Sequence, residues 1–273
     1  MKQQCNFYII IAVLNAESSI ENCLKSVFDQ QYSQKKIIVV DGGSSDKTVD
    51  IIKKNSNKIY WWVSEKDDGI YDAWNKAVTK VNDGWVLFLG ADDVLFSPDV
   101  LSHASELLQE CDVKIAYGQI AVVNAQEKTL AIKGAPWSVA GRNFTSTMTL
   151  PHQGIFHHSS VFAEFGVFNP YLKIAGDFDL LLRILPAVKP LYLEGQIIAK
   201  WRVGGISYDV RTSLNVAHEF SKVRCLNGYH GLSATLMWFY TKAYVLQFFC
   251  CLFGHRFTTW FAGAYRRALG QWK

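Results

Sequence analysis

The stretch FYIIIAVLN, residues 7 to 15, is apolar at nearly every position and has strand length, the pattern of a strand covered on both faces. The next stretch, SSIENCLKSVFDQQ, changes period: Ile20, Leu24, Val27 and Phe28 recur at helical spacing. KKIIVVDGG reads as a second strand, SSDKTVDIIKKN as a helix with serine caps and an acidic first turn, and KIYWWVSE as a third strand. GIYDAWNKAVTKV places Ile70, Ala73, Trp74, Ala77 and Val81 on one helical face before GWVLFLG returns to strand. Strands alternating with helices of about ten residues predict an α/β fold with a parallel sheet between helical layers. No internal repeat and no low-complexity segment interrupts the pattern.

The chain has 273 residues, 49% of them hydrophobic and 19% charged, the composition of a globular protein able to bury a sizeable core. Cys5, Cys23, Cys111, Cys225, Cys250 and Cys251 form no CxxC pair and no metal-ligand rhythm. They read as reduced thiols packed as small hydrophobes, as in a cytosolic protein. The start MKQQCNFYIIIAVLNAESS combines a lysine with an apolar run but shows no small-residue cleavage site. It is expected to be a first strand, with no export.

Charge is distributed unevenly. From Phe220 onward there is no Asp or Glu, while Lys222, Arg224, Lys242, Arg256, Arg266, Arg267 and Lys273 give that segment +7, leaving −3 for the rest of a chain whose total is +4. The same tail is dense in aromatics. GLSATLMWFYTKAYVLQFFCCLFGH is apolar for about the length of a membrane span, yet Lys242 sits near its centre. A helix lying in the membrane interface, drawn to anionic headgroups, is the expectation. Nucleic acid is not an expected partner, because the basic character is confined to the tail and the polar rim of the sheet is acidic.

Ligands of open α/β sheets bind outside the carboxyl ends of the strands. Those ends carry Asn15, then Asp41 with GGSSD, then SEKDDG, then GADD. The turn NAESSI after the first strand lacks the G-x-G-x-x-G of a dinucleotide site, and no P-loop is present. Acidic residues handle phosphates only through a cation. The adjacent Asp92 and Asp93 form a hard-oxygen pair suited to Mg²⁺ or Mn²⁺, or else a solvated turn. Further on, LKIAGDFDLLLRI leads into a helix through Asp177 and Asp179, which as first-turn acids interact favourably with the helix dipole. Asp179 is spaced to pair with Arg183 one turn on. His157 and His158 are neighbours that point in different directions, so surface or capping roles are expected of them rather than a metal site.

YIIIAVLNAESSIENCLKSVFDQQY, IIVVDGGSSDKT, SEKDDGIYDAWNKAV and VLFLGADDVL resemble, in order and spacing, the successive motifs of the family 2 glycosyltransferases. The resemblance covers about residues 5 to 205. It implies a GT-A fold, a Rossmann-like, mostly parallel sheet flanked by helices, over residues 1–210, with 211–273 as an aromatic, basic helical extension. It implies a nucleotide-diphospho-sugar donor, with Val13, Asn15 and Glu17 lining the nucleotide pocket, Asp41 at its base end and Asp67 facing the nucleotide. Asp92 falls on the position near the ribose and diphosphate, and Asp93 on the one that coordinates Mn²⁺ or Mg²⁺; the motif stands here as ADD where many members have D-x-D.

On the acceptor side the resemblance places a catalytic base at Asp177, with Gly176 where members often carry Glu. His152 and Gln153, in LPHQGIF, correspond to a segment beside the donor sugar or acceptor. Trp201 and Arg202, in AKWRVGGIS, correspond to a segment that closes over the nucleotide. The QxxRW motif of processive synthases is absent, so transfer of one sugar, with inversion, is expected. Membrane-associated relatives build exopolysaccharide, capsule or O-antigen units, which implies a polyprenyl-diphosphate-linked saccharide acceptor and a cytoplasmic location on the inner face of the cell membrane. The second reading is a non-catalytic nucleotide-binding or scaffold protein, told apart by nucleotide binding without donor hydrolysis. The joint presence of Asp41, Asp92, Asp93 and Asp177 favours the enzyme.

Overall fold

Along strand β1 (Phe7–Val13) the side chains enter two cores in strict alternation. Tyr8, Ile10 and Ala12 face one side of the sheet, and Phe7, Ile9, Ile11 and Val13 face the other. Burial on both faces is why the run is continuously apolar. The computed structural model describes residues 4–203, 209–231, 233–268, 270 and 272.

The elements follow as α1 (Ile20–Phe28), β2 (Lys35–Asp41), α2 (Thr48–Lys54), β3 (Trp61–Ser64), α3 (Ile70–Val78), β4 (Trp85–Gly90), β5 (Val94–Leu95), α4 (Val100–Leu108), β6 (Ile115–Val123), β7 (Thr129–Lys133), α5 (Trp137–Ala140), β8 (Ile155–His158), α6 (Ser160–Phe165), α7 (Gly176–Ile184), β9 (Leu191–Arg202), α8 (Ser213–Leu226) and α9 (Ala234–Ala268). Among the described residues one sheet runs β3-β2-β1-β4-β8-β6-β9-β5, with β7 added beside β6. The β3-β2-β1-β4 half is wholly parallel, as the strand–helix alternation requires, and β6 and β9 are also parallel. Antiparallel β8 joins the two halves, and β5 and β7 are short antiparallel additions. The chain leaves β1 toward β2 and later returns to β4 on its other side, so a topological switch point lies at the carboxyl ends of β1 and β4.

Two local expectations are corrected. The helix after β2 has Lys47 at its N-cap rather than a serine, and Asp46 Oδ1 accepts from the Thr48 N–H at 3.0 Å. Ser44 and Ser45 bond instead to Asp41 and Asn15, because the loop must brace two strand ends. On α3 it is Tyr71 that is buried, whereas Ile70 is 38% exposed. The helix begins at Ile70, with glycine before it, so its first residue faces outward and its second meets α7.

The boundary expected after residue 210 runs one helix too early. Val216, Phe220 and Val223 of α8 belong to the same core as Tyr8 and Phe88, and Phe220 stacks on Phe178 at 4.9 Å and 22°. Helix α9 starts on this core, with Phe239 packed on Phe220 at 5.8 Å, and then leaves it. It bends at Gly254, whose φ of 78° is left-handed, a conformation open to glycine. Phe249 and Phe261 stack across the bend at 5.4 Å, where a straight helix would separate them by about 18 Å.

Candidate active site

The switch point is built around Gly90, the last residue of β4. A Cβ on Gly90 would lie 2.9 Å from Asp92 Oδ1 and 3.2 Å from Asp93 Oδ2, so both carboxylates crowd one glycine that makes room for them. Asp93 is buried and its Oδ2 accepts from the Gly90 N–H at 3.0 Å. Its Oδ1 is buried without a hydrogen-bond partner. Burial, and then the charge of Asp92, push Asp93 well above the usual carboxylate range, with the Gly90 N–H and the Gln153 side chain opposing. Asp92 itself is exposed. A buried orphan carboxylate oxygen beside a second carboxylate is a donor set that fits a hard divalent cation. No group of three or more potential metal-ligating side chains occurs among the described residues, so further ligands to such an ion would come from phosphate and water.

The β1 and β2 ends are locked together. Asn15, at a φ of 48°, takes the Ser45 N–H on Oδ1 at 2.9 Å and gives its own N–H to Ser44 Oγ at 2.7 Å. Glu17 accepts from the Lys47 N–H at 3.0 Å, so its carboxylate serves the start of α2. Val13 is buried, and its carbonyl receives the Gly42 N–H at 2.9 Å. Asp41 is wholly inaccessible, and its carboxylate is consumed by Gly43 N, Ser44 N, Ser44 Oγ and Ser64 Oγ. Asp41 thereby shapes the loop that forms the wall. Asp67 does reach that wall. Its Oδ2 stands 2.6 Å from where a Cβ of Gly42 would be, and its Oδ1 accepts from the Gly69 N–H at 3.0 Å.

Asp177 occupies the first turn of α7 and keeps partial exposure. Burial raises its pKa to about 6, opposed by the Phe178 N–H and the Tyr71 phenol and reinforced by Glu219. The Tyr71 hydroxyl lies 2.7 Å from the Ile174 carbonyl and 3.3 Å from Asp177 Oδ1. Asp179 has the structural role its spacing predicts: it pairs with Arg183 at 3.1 Å and accepts from Asn227 at 2.9 Å.

A continuous aromatic chain connects this side to the carboxylate pair. Tyr71 packs edge-on to Trp74 at 5.5 Å, and Trp74 stacks on His152 at 4.9 Å. The neighbour of His152, Gln153, faces Asp93. His152 is buried and held well below its ordinary pKa by that burial and by His157, so it is a neutral ring. His157 is also fully buried, against Phe88 and Phe162, and burial lowers it to about 4. A surface role for His157 is therefore excluded: it faces the core on β8. His158 is half-buried and meets Ser160 Oγ at 2.9 Å.

Lys200 of β9 pairs with Val94, the residue after Asp93, and the next two residues, Trp201 and Arg202, pair with Val122 and Val123 of β6. The Trp201 ring carries Lys133 Nζ at 5.2 Å, and Arg202 is ion-paired with Glu127. The rest of the expected closing segment, 204–208, lies outside the described residues. Sequence reasoning missed Tyr71, read only as part of a helix, and Glu219, whose one visible signal is that it is the last acid before the acid-free tail.

The model of the family described as "Glycosyl transferase family 2" matches residues 8–165. A "PGL/p-HBAD biosynthesis glycosyltransferase" of Mycobacterium bovis (strain BCG / Pasteur 1173P2) is 28% identical over 207 residues, covering 74% of this chain and 78% of that protein. An "uncharacterized glycosyltransferase" of Rickettsia felis is 29% identical over 206 residues, 71% of this chain and 33% of that protein. Among solved structures, S. aureus TarS 1-349 in complex with UDP-GlcNAc superposes with a TM-score of 0.63 at 18% identity, over 89% of this chain and 72% of that one. The mannosyltransferase PcManGT from Pyrobaculum calidifontis, in complex with GDP-Man and Mn²⁺, gives 0.62 at 16% identity, over 97% and 76%. These likenesses establish the GT-A fold.

Proposed function

Because the chain belongs to glycosyl transferase family 2 and is a glycosyltransferase, we propose that it moves one sugar, with inversion, from a nucleotide-diphospho-sugar to a saccharide carried on a polyprenyl diphosphate. The observation that carries the reading is a set of unlike carboxylates linked through the Tyr71, Trp74 and His152 rings and Gln153: Asp93, buried with an orphan oxygen beside Asp92, and Asp177, poised at a pKa of about 6. Titratable groups whose environments set them to different tasks are the mark of divided labour in a site. The structural neighbours hold UDP-GlcNAc in one case and GDP-Man with Mn²⁺ in the other, which supports a nucleotide-sugar donor.

Asp93, helped by Asp92, would hold Mn²⁺ or Mg²⁺. When bound, the ion supplies positive charge for the departing nucleoside diphosphate. Asp67, with Gly42 and the Asn15 turn, forms the nucleotide wall, and Gln153 borders Asp93 on the sugar side. Asp177, ionised at neutral pH, takes the proton of the acceptor hydroxyl as its oxygen attacks the anomeric carbon. No covalent sugar intermediate is involved. Trp74 and His152 stack as uncharged rings next to Tyr71, on the path from Asp177 toward Gln153.

The membrane side rests on α9. Residues Ala234–His255 are long and apolar enough to cross a bilayer by length and composition, and most of that stretch is exposed. Trp238, Phe248, Leu252 and Trp260 each remain about 60% exposed, large apolar side chains of the kind that mark a membrane or partner contact when they cluster. Protein crowding and the nearby charges of Arg266 and Lys242 lower the pKa of Lys133, although its side chain still meets solvent. Lys133 lies over the Trp201 ring with Lys242 and Arg266 of α9 nearby, a cluster of cations where a lipid-borne diphosphate would be favoured. The enzyme would then act on the cytoplasmic face, attached peripherally.

The test is a thermal-shift panel of UDP-, GDP- and dTDP-sugars with and without Mn²⁺, on wild type and Asp93→Ala. Stabilisation by one nucleotide class that requires Mn²⁺ and vanishes in the variant is expected. Equal stabilisation of Asp93→Ala refutes the metal assignment.

A further inference from the structure

Helix α7 begins without a capping side chain. Its N-cap is Ala175, which offers no oxygen to the first N–H groups of the helix. A residue 44 positions later holds the backbone that leads into it. Glu219, on α8, accepts the Ala175 N–H at 2.6 Å and the Ile174 N–H at 2.5 Å on Oε2, and the Lys173 N–H at 2.8 Å on Oε1. One carboxylate thus gathers three consecutive backbone donors just ahead of Asp177.

The adjoining residues tighten the same junction. The Ile174 peptide is gripped on both sides, its N–H by Glu219 and its carbonyl by the Tyr71 hydroxyl at 2.7 Å, and that hydroxyl also meets Asp177 Oδ1. Phe220, next to Glu219, stacks on Phe178, next to Asp177. Two successive residues of α8 therefore hold the first turn of α7, one by charge-assisted hydrogen bonds and one by packing.

We propose that Glu219 is a positioning residue for transfer: it clamps residues 173–175 so that the Asp177 carboxylate is presented to the acceptor in a fixed orientation. This rests on the reading of Asp177 as the base. The ionisable groups bearing on Asp177 are Tyr71 from α3 and Glu219 from α8, while the Lys173 ammonium is directed away to the Asp68 carbonyl. Glu219 also disfavours ionisation of Asp177, so its charge makes Asp177 the stronger base.

Glu219→Gln keeps the size of the side chain and removes its charge. It is expected to lower kcat about 10- to 100-fold, the scale of a misplaced catalytic group, with donor KM within about twofold. The acid limb of its kcat–pH profile is expected to move to lower pH, because a negative charge near Asp177 is gone. Glu219→Asp retains the charge, so its limb is expected to stay in place while kcat falls less. Asp177→Asn is measured in parallel. If Asp177→Asn is inactive while Glu219→Gln keeps wild-type kcat and limb, the positioning role is overturned and the base reading stands. If Asp177→Asn turns over normally, the base reading itself falls and takes the clamp's purpose with it. A Glu219→Gln protein that loses Tm, kcat and donor affinity together, with the limb unmoved in both Glu219 variants, marks a fold-holding residue only and overturns the proposal.

Discussion

The ring of Tyr71 fills the space that any side chain at Gly176 would occupy: a Cβ there would stand 2.7 Å from Tyr71 Cε2. Where related motifs often carry a second carboxylate, this chain has a glycine with a phenol packed on it, and the phenol is bonded toward Asp177. The space left open at Gly176 is thus filled by a residue from α3.

Gly176→Ala should therefore overpack the junction at a cost of about 1–3 kcal/mol and push Tyr71 off Asp177, lowering kcat more than donor affinity. Thermal melts and steady-state kinetics check this. A variant with unchanged Tm and kcat would show that the ring yields freely.

Asp177 has a pKa raised to about 6 in the folded chain from an ordinary value of 3.8. The folded state therefore holds more protons than the unfolded one between those values, and this group's contribution to stability falls as pH rises through that window. Asp177→Asn is expected to remove that dependence, to melt higher than wild type at pH 7–8, and to lose about 10²–10⁴-fold in turnover with donor binding kept. In wild type the acid limb of activity is expected near pH 6. Melting curves from pH 4 to 8 on both proteins provide the comparison, and identical pH slopes would contradict the assignment.

Gly42 has no Cβ where the Asp67 carboxylate lies, and the two would meet at 2.6 Å. Gly42→Ala should displace Asp67 and raise donor KM several-fold while kcat at saturation changes little. Nucleotide titration by calorimetry reads the effect directly; an unaltered affinity would remove Asp67 from the nucleotide wall.

Two truncations separate core from extension. Ending the chain after residue 231 removes α9 and should abolish cosedimentation with anionic vesicles while leaving a folded catalytic core. Ending it after residue 210 also removes Phe220 and Val223 from the core and Glu219 from α7, and is expected to unfold the protein or cost most of its stability. Membrane pelleting that survives loss of α9 would rule out the interface helix.

Much of the first half was legible in the chain because its signals are local. A continuous apolar run such as Phe7–Val13 can only be a strand buried on both faces, and the polar ends that follow such strands in a parallel sheet must share one edge. Asp92 and Asp93 could be named as candidate ligand-binding residues for that reason. The pairing of Asp179 with Arg183 was equally local, being one helical turn.

What sequence by itself determined, then, is the alternation of strand and helix, the family pattern, and the carboxylates at the strand ends. Tertiary structure alone decided their states and partners. Asp41 and Asp93 are both strand-end acids in the sequence, yet one is saturated by four protein donors and the other has an oxygen left over. Neither periodicity nor spacing reports how many donors surround a carboxylate. Glu219 reaches Ala175 across 44 residues, and Tyr71 reaches Asp177 across 106. Hydrogen bonds and desolvation act over a few ångströms of space irrespective of distance along the chain, so such contacts exist only once the sheet and helices are in place.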